Sequence, residues 1–78
     1  MTEMPLSEAP EGRRVTLVNL PADGPLRDRL RAMGIRPGAT LEVLRRGSPG
    51  GILHLSCGVL EFMLRRDQAA QMAVSCRD

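Results

Sequence analysis

The chain has 78 residues, 42% of them hydrophobic and 26% charged, which is typical of one small soluble globular domain. No apolar run approaches the roughly 18 residues of a membrane-spanning helix, and the acidic start MTEMPLSEAPEG lacks a signal-peptide core. We therefore expect a cytoplasmic protein with no direct membrane insertion. All eleven basic residues are arginine, and eight of them lie in residues 25–66 against three acids, which suits an acidic partner or a phosphate backbone.

The N-terminal part of the chain predicts one strand after a polar start. We expect residues 1–5 to be flexible and Pro10-Glu11-Gly12 to form a turn. The β-branched and leucine-rich segment RVTLVNL at residues 14–20 predicts the first strand, and the segment PADG at residues 21–24 ends it.

A short amphipathic helix is predicted next, over residues 25–33. Pro25 suits its first turn, because the fixed φ fits a helix and the missing N–H is not needed there. The apolar positions recur at i, i+4 and i+7 and so share one face: Leu26, Leu30 and Met33. Gly34 is expected to end the helix in the left-handed conformation, so that Ile35 can fold back onto this face. Because so short a helix is not stable alone, its apolar face must pack on a sheet.

The rest of the chain predicts the remainder of that sheet. Pro37-Gly38 reads as a turn and residues 47–51 read as a loop. Strands are predicted at residues 40–46, 52–57, 59–65 and 72–76. A helical turn at residues 67–71, capped by Asp67, precedes the last of them. The inward-facing apolar residues predict the core: Val15, Leu17, Leu41, Val43, Leu53, Leu55, Phe62, Leu64, Met72 and Val74.

These elements favour a mainly β fold. Five short strands with one helix inserted between the first two predict a small, strongly bent SH3-like barrel. The single domain is expected to cover residues 6–76, with residues 77–78 as a C-terminal tail.

Two long stretches of the sequence form a recognisable pattern: LRDRLRAMGIRPGATLEVLRR at residues 26–46 and, after a Pro-Gly-Gly loop, HLSCGVLEFMLRRDQAAQMAV at residues 54–74. The most specific part is R-L-x-x-M-G-I-x-P-G at residues 29–38, supported by LRRDQA at residues 64–69. In these motifs the sequence resembles the ferrous iron transport protein A (FeoA) family. The resemblance implies an SH3-like barrel and a small cytoplasmic bacterial protein. It also implies work with the membrane ferrous iron transporter FeoB, which carries a cytoplasmic G-protein domain.

Enzyme activity is not expected. The chain has one histidine, no serine–histidine–acid set and no glycine-rich phosphate-binding loop that ends in lysine. No catalytic residue and no resident cofactor are therefore predicted.

Metal binding has only weak candidates in this sequence. The soft ligands are His54, Cys57 and Cys76, and a structural site needs about four ligands. His54 and Cys57 are three residues apart on one predicted strand, so they are expected on opposite faces, with Cys57 toward the core. No metal site is predicted, although transient binding of ferrous iron or another divalent ion, as in a metal-sensing barrel of metalloregulator type, stays an alternative.

Nucleic-acid binding is a less favoured alternative. The arginines could contact phosphates, but Phe62 is the only aromatic residue and is predicted to be buried, so no stacking rings are available. The absence of Trp and Tyr also argues against the aromatic groove with which ordinary SH3 domains bind proline-rich peptides.

Docking to another protein is the favoured function. The predicted interface consists of Arg27, Arg31, Met33, Ile35, Arg36, Ser48, Pro49, Gly50 and Gly51. It borders a structural motif formed by Pro25, Leu30, Gly34, Pro37 and Gly38. We expect an acidic face on the cytoplasmic part of an FeoB-type transporter to complement this edge.

Overall fold

The computed structural model describes residues 2–47 and 50–76, which form one sheet of six antiparallel strands and two short helices. The strands are β1 (Thr2–Pro5), β2 (Arg14–Asn19), β3 (Thr40–Arg46), β4 (Ile52–Cys57), β5 (Leu60–Arg65) and β6 (Ala73–Cys76). The helices are α1 (Gly24–Ala32) and α2 (Arg66–Ala69), and a 3₁₀ turn covers Leu6–Glu8. The strand order is β1-β6-β2-β3-β4-β5, so β1 and β5 are the two edges. None of the described helices is long and apolar enough to cross a membrane.

A single cluster of buried side chains joins the sheet to both helices. All ten predicted core residues are buried, and the most exposed of them is Phe62 at 8%. Alternating side chains of a strand point to opposite faces, so the alternation in the sequence locates the buried face correctly. The cluster also takes in residues outside the strands: Leu6, Ala9, Leu26, Leu30, Ile35 and Ala69.

The end of α1 confirms the predicted helix stop. Gly34 has φ +83° and its N–H donates to the Arg31 carbonyl at 2.9 Å. The Ile35 N–H donates to the Leu30 carbonyl, also at 2.9 Å. These two bonds form a Schellman motif, in which a left-handed residue lets the chain reverse and the next apolar side chain return to the core. Leu30 and Ile35 are both fully buried.

The turn after α1 is tied directly to β2. The Ala39 N–H donates to the Arg36 carbonyl at 3.0 Å, and Gly38 between them has φ +95°. The Gly38 N–H donates to the Leu17 carbonyl, and the Leu17 N–H donates to the Ala39 carbonyl, both at 2.8 Å. The chain therefore enters β3 beside β2, and the end of α1 is held against the sheet.

The N-terminal residues differ from the expectation of a flexible segment. Residues 2–5 form β1, which pairs with β6 and sets Thr2 opposite Cys76. The sheet therefore has six strands instead of five, and α1 lies between the second and third strands. The pattern of four residues that end in Pro5 is too short and too polar to indicate a strand, and β1 depends on a partner far along the chain.

Arg46 fastens this N-terminal segment to the sheet. Its guanidinium donates to the carbonyls of Ser7 and Ala9, and its backbone N–H donates to Glu11 Oε2 at 2.7 Å. A bulge in the pairing of β3 with β4, between Val43 and Arg45, shifts the register just before Arg46. The sequence does not indicate this role, because its pattern shows Arg46 only as one more basic residue of a strand.

The helical turn near the C-terminus begins earlier than predicted. It covers Arg66–Ala69 instead of residues 67–71, and Arg65 is the N-cap instead of Asp67. The Arg65 N–H donates to Gln68 Oε1 at 2.9 Å, so a side chain from the first turn supplies the cap. The last strand correspondingly starts at Ala73.

Candidate docking surface

Helix α1 presents arginines on both flanks of its buried stripe. Arg27 and Arg31 are four residues apart and lie on the same side of the helix, whereas Arg29 is two residues from each and lies on another. Arg29 and Arg31 are exposed and Arg27 is half-buried. The helix therefore offers two basic flanks that can act separately.

Arg36 is exposed in the turn that follows α1, and Arg27, Arg31 and Arg36 are together called the helix face below. In the described part of the chain, ion pairs join Arg14 to Glu42 at 3.9 Å and His54 to Glu61 at 2.9 Å, and neither involves the helix face. The Arg27 Nε is buried and finds no acceptor in the described ranges. The helix face thus carries positive charge that no ion pair between residues of the described ranges neutralises.

The apolar residues predicted beside this face differ in their exposure. Met33 is half-buried and packs against the core, so part of its side chain remains accessible. Ile35 is fully buried. Its predicted place in the interface is therefore wrong, because the Schellman motif turns its side chain inward, and Ile35 serves instead to fix the turn that carries Arg36.

The glycine loop lies beside another pair of arginines. Gly50 and Gly51 line an open cleft of about 580 Å³ together with Arg65 and Arg66. A Cβ atom on Gly50 would lie 3.3 Å from Arg66 Nη1, so the guanidinium of Arg66 lies close to this backbone. Ser48 and Pro49, the other predicted loop contacts, lie outside the described residues.

The two weak metal candidates do not come together. His54 faces outward and its Nε2 lies 2.9 Å from Glu61 Oε1, while Cys57 is half-buried against the core. No group of three or more His, Cys, Asp or Glu within residues 2–47 and 50–76 is arranged to hold a metal ion. The sequence pattern does not indicate Glu61 as the partner of His54, because the contact runs diagonally between paired strands.

The model of the FeoA domain matches residues 4–76 of this sequence. This chain belongs to the FeoA domain family. A crystal structure of an iron uptake regulatory protein (FeoA) is 32% identical to it, with a TM-score of 0.82 over 95% of this chain and 97% of the other. A search of curated proteins finds no match.

Two further structures show how widely this fold is used. FeoA from Stenotrophomonas maltophilia in complex with zinc, described as a prokaryotic SH3 domain protein, is 28% identical, with a TM-score of 0.79 over 92% of this chain and 89% of the other. A manganese-dependent transcriptional repressor is 20% identical, with a TM-score of 0.85 over 96% of this chain and 42% of the other. At that identity the repressor shares the fold alone.

Family membership gives the general function of the chain. The fold is the SH3-like FeoA fold, and the family is linked to ferrous iron transport. This FeoA-family member is a non-catalytic accessory protein.

Proposed function

We propose that this protein is a cytoplasmic accessory protein of bacterial ferrous iron uptake, and that it binds the cytoplasmic part of an FeoB-type transporter. Family membership supports the link to iron transport. The main structural support comes from the charge of the helix face. Arg27, Arg31 and Arg36 have no ion-pair partner within the described ranges.

The interface is built around the helix face, with the accessible part of Met33 and the 48–51 loop at its borders. Complementary charge across an interface raises the association rate and selects the correct partner, so an acidic patch on the transporter's G-protein domain fits this surface. The Schellman motif holds Arg36 in a fixed place relative to α1. This rigidity lowers the entropy that binding would otherwise cost.

Regulation would follow from binding alone, because the protein supplies no chemistry. If it binds two conformations of the transporter with different affinity, it shifts the equilibrium between them by that difference in binding free energy. If guanine nucleotide also binds these two conformations with different affinity, it must change the affinity of the G-protein domain for this protein.

Calorimetric titration tests this proposal. The purified full chain is titrated with the transporter's soluble G-protein domain, with and without guanine nucleotide and ferrous iron. We expect saturable binding whose affinity changes with nucleotide. The double variant Arg27→Glu/Arg31→Glu should weaken binding about tenfold or more, since each exposed charge pair is worth up to about 1 kcal/mol and reversal adds repulsion.

A matched control separates the helix face from general charge. Arg45 is exposed on β3, so Arg45→Glu makes the same charge change away from α1 and should leave the affinity within about twofold. Equal affinity for wild type and the α1 double variant would remove the helix face from the interface. A G-protein domain that binds neither protein under any condition would refute the proposed partner.

A further inference from the structure

Among the strands of residues 2–47 and 50–76, β5 ends the sheet order, so its outer edge has no neighbouring strand there. A two-residue loop joins β4 to β5 and sets Cys57 opposite Leu60. The two residues that flank such a loop form a hydrogen-bonded pair. Along an antiparallel pair of strands, hydrogen-bonded residue pairs alternate with pairs that are not hydrogen-bonded. Even-numbered residues of β5 therefore bond to β4, while the backbone N–H and C=O groups of Glu61 and Met63 point to the open side.

Two hydrogen bonds at the end of β5 support this assignment. The Arg66 N–H donates to the Gly51 carbonyl, next to β4, at 2.9 Å. Arg66 therefore bonds on the same side as the even-numbered residues of β5. The Arg65 N–H does not bond to β4 but donates to the Gln68 side chain. It therefore points to the open side, as the backbone groups of Glu61 and Met63 do. In the described ranges, no backbone hydrogen bond reaches that open side between Leu60 and Leu64.

The exposed face of the sheet next to this edge carries two apolar residues, one on β5 and one on β4. Met63 is 60% exposed and Ile52 is 50% exposed. They lie on adjacent strands, since Met63 is opposite His54 and Ile52 is opposite Arg65, which makes them diagonal neighbours on one face. Large apolar side chains side by side on a protein surface indicate a contact site.

Met63 and Ile52 also line a basic cleft. It has a volume of about 190 Å³, and its polar lining consists of Arg29, Arg65 and Gln68. Gln68 Oε1 accepts the Arg65 N–H, so the amide nitrogen of Gln68 remains available to donate. Among the described residues, the lining contains no carboxylate. Three donor side chains, with the amide oxygen of Gln68 already occupied, fit a carboxylate from another molecule.

The chain itself carries a carboxylate, that of Glu61, which would reach this cleft in a second copy. On β5, Glu61 lies two residues before Met63 and Arg65 lies two residues after it. If two copies pair their β5 strands antiparallel about Met63, Glu61 of each copy lies opposite Arg65 of the other. Glu61 Oε1 is 2.9 Å from His54, which leaves Oε2 for the second copy.

We infer that the open edge of β5, formed by Glu61, Met63 and Arg65, pairs with the same edge of a second copy to form a two-fold dimer. Met63 of the two copies meet on the symmetry axis and exchange backbone hydrogen bonds. Glu61 of each copy enters the basic cleft of the other. A two-fold contact of this kind closes on itself, so it ends at the dimer and does not extend into a filament.

Charge favours a second copy over an anionic membrane as the occupant. Glu61 would be repelled by acidic lipid headgroups, whereas in the dimer it meets Arg65. A lipid surface also offers no strand to satisfy the backbone groups of Glu61 and Met63. The dimer uses the helix face in neither copy, since Arg29 and the pair Arg27 and Arg31 lie on different sides of α1.

Reversing the charges of Glu61 and Arg65, one at a time, in the 78-residue chain tests the dimer. Sedimentation equilibrium from about 10 μM to about 1 mM covers the affinity range of a small interface. We expect wild type to form dimers within this range. Glu61→Arg and Arg65→Glu should each weaken dimerisation about tenfold or more, because each variant places like charges opposite each other twice. An equimolar mixture of the two variants should dimerise as wild type does, because both charge pairs are restored.

Two control variants show whether the effect is local. Asp28→Arg makes the same charge change as Glu61→Arg at an exposed position of α1 and should leave the dimer constant unchanged. So should Val59→Ser at the fully exposed tip of the β4–β5 loop. Met63→Ser should weaken it. Wild type that stays monomeric at the highest concentration overturns the inference, as does a dimer that both charge variants leave intact. Transporter binding is a separate readout, so either proposal can fail while the other stands.

Discussion

Gly34 has a backbone conformation that other residues adopt only with strain. We expect Gly34→Ala to lower the free energy of unfolding by about 1–2 kcal/mol, because a Cβ atom disfavours the left-handed region in which Gly34 ends α1. Denaturant-induced unfolding followed by circular dichroism measures this change.

Gly24 provides the matched control at the other end of α1. Its φ is not positive and a Cβ atom there would meet only Arg27 Nη2, at 3.7 Å. Gly24→Ala should therefore change stability by less than about 0.5 kcal/mol or raise it slightly. Equal losses in the two variants would show that the Schellman geometry does not determine the effect.

Arg46, the last residue of β3, connects this strand to the N-terminal segment. Arg46→Ala removes two charge-assisted hydrogen bonds to the carbonyls of Ser7 and Ala9. We expect a loss of about 2–3 kcal/mol and faster amide hydrogen exchange in residues 2–9, because those carbonyls lose their donors.

Arg45→Ala makes the same truncation one residue earlier, at an exposed side chain. It should cost less than about 0.5 kcal/mol and leave the exchange of residues 2–9 unchanged. If the Leu6 amide, which donates to the Met72 carbonyl at 2.8 Å, stays equally protected in both variants, Arg46 does not fasten the segment.

The elements that could be predicted from the sequence are those specified by neighbouring residues. Strands β3 and β4 have the predicted bounds, and Gly34 marks the end of α1, because alternation and a left-handed glycine are local signals. The Ala9–Arg46 contact spans 37 residues, and β1 forms only when β6 is in place. Contacts between distant segments leave no periodic pattern, so both escaped prediction.

The candidate site was predictable in part for the same reason. The spacing of Arg27 and Arg31 places them on one side of a helix, which follows from the helical repeat alone. Ile35 was predicted both to fold back onto the apolar face of α1 and to lie in the interface, and its full burial is compatible only with the first of these. The open edge of β5 could not be recognised without the strand order, which the sequence does not reveal.

The uneven charge of the whole molecule predicts how partner binding depends on salt. The basic residues of the helix face are exposed or half-buried, and interactions between such charges are screened over about 8–10 Å at physiological ionic strength. We expect the affinity for the transporter's G-protein domain to fall about tenfold or more between about 0.05 and 0.5 M salt. Titration at three salt concentrations measures the slope, and an affinity independent of salt would point to apolar contacts instead.

Phe62 gives the protein an unusual optical property. It is the only aromatic residue of the chain and is buried on β5, between Glu61 and Met63. The protein therefore contributes no tryptophan or tyrosine fluorescence, and any such emission from a mixture comes from the partner. A single Phe62→Trp substitution would in turn place one fluorophore directly behind the open edge of β5, where its emission would report separately on pairing at that strand.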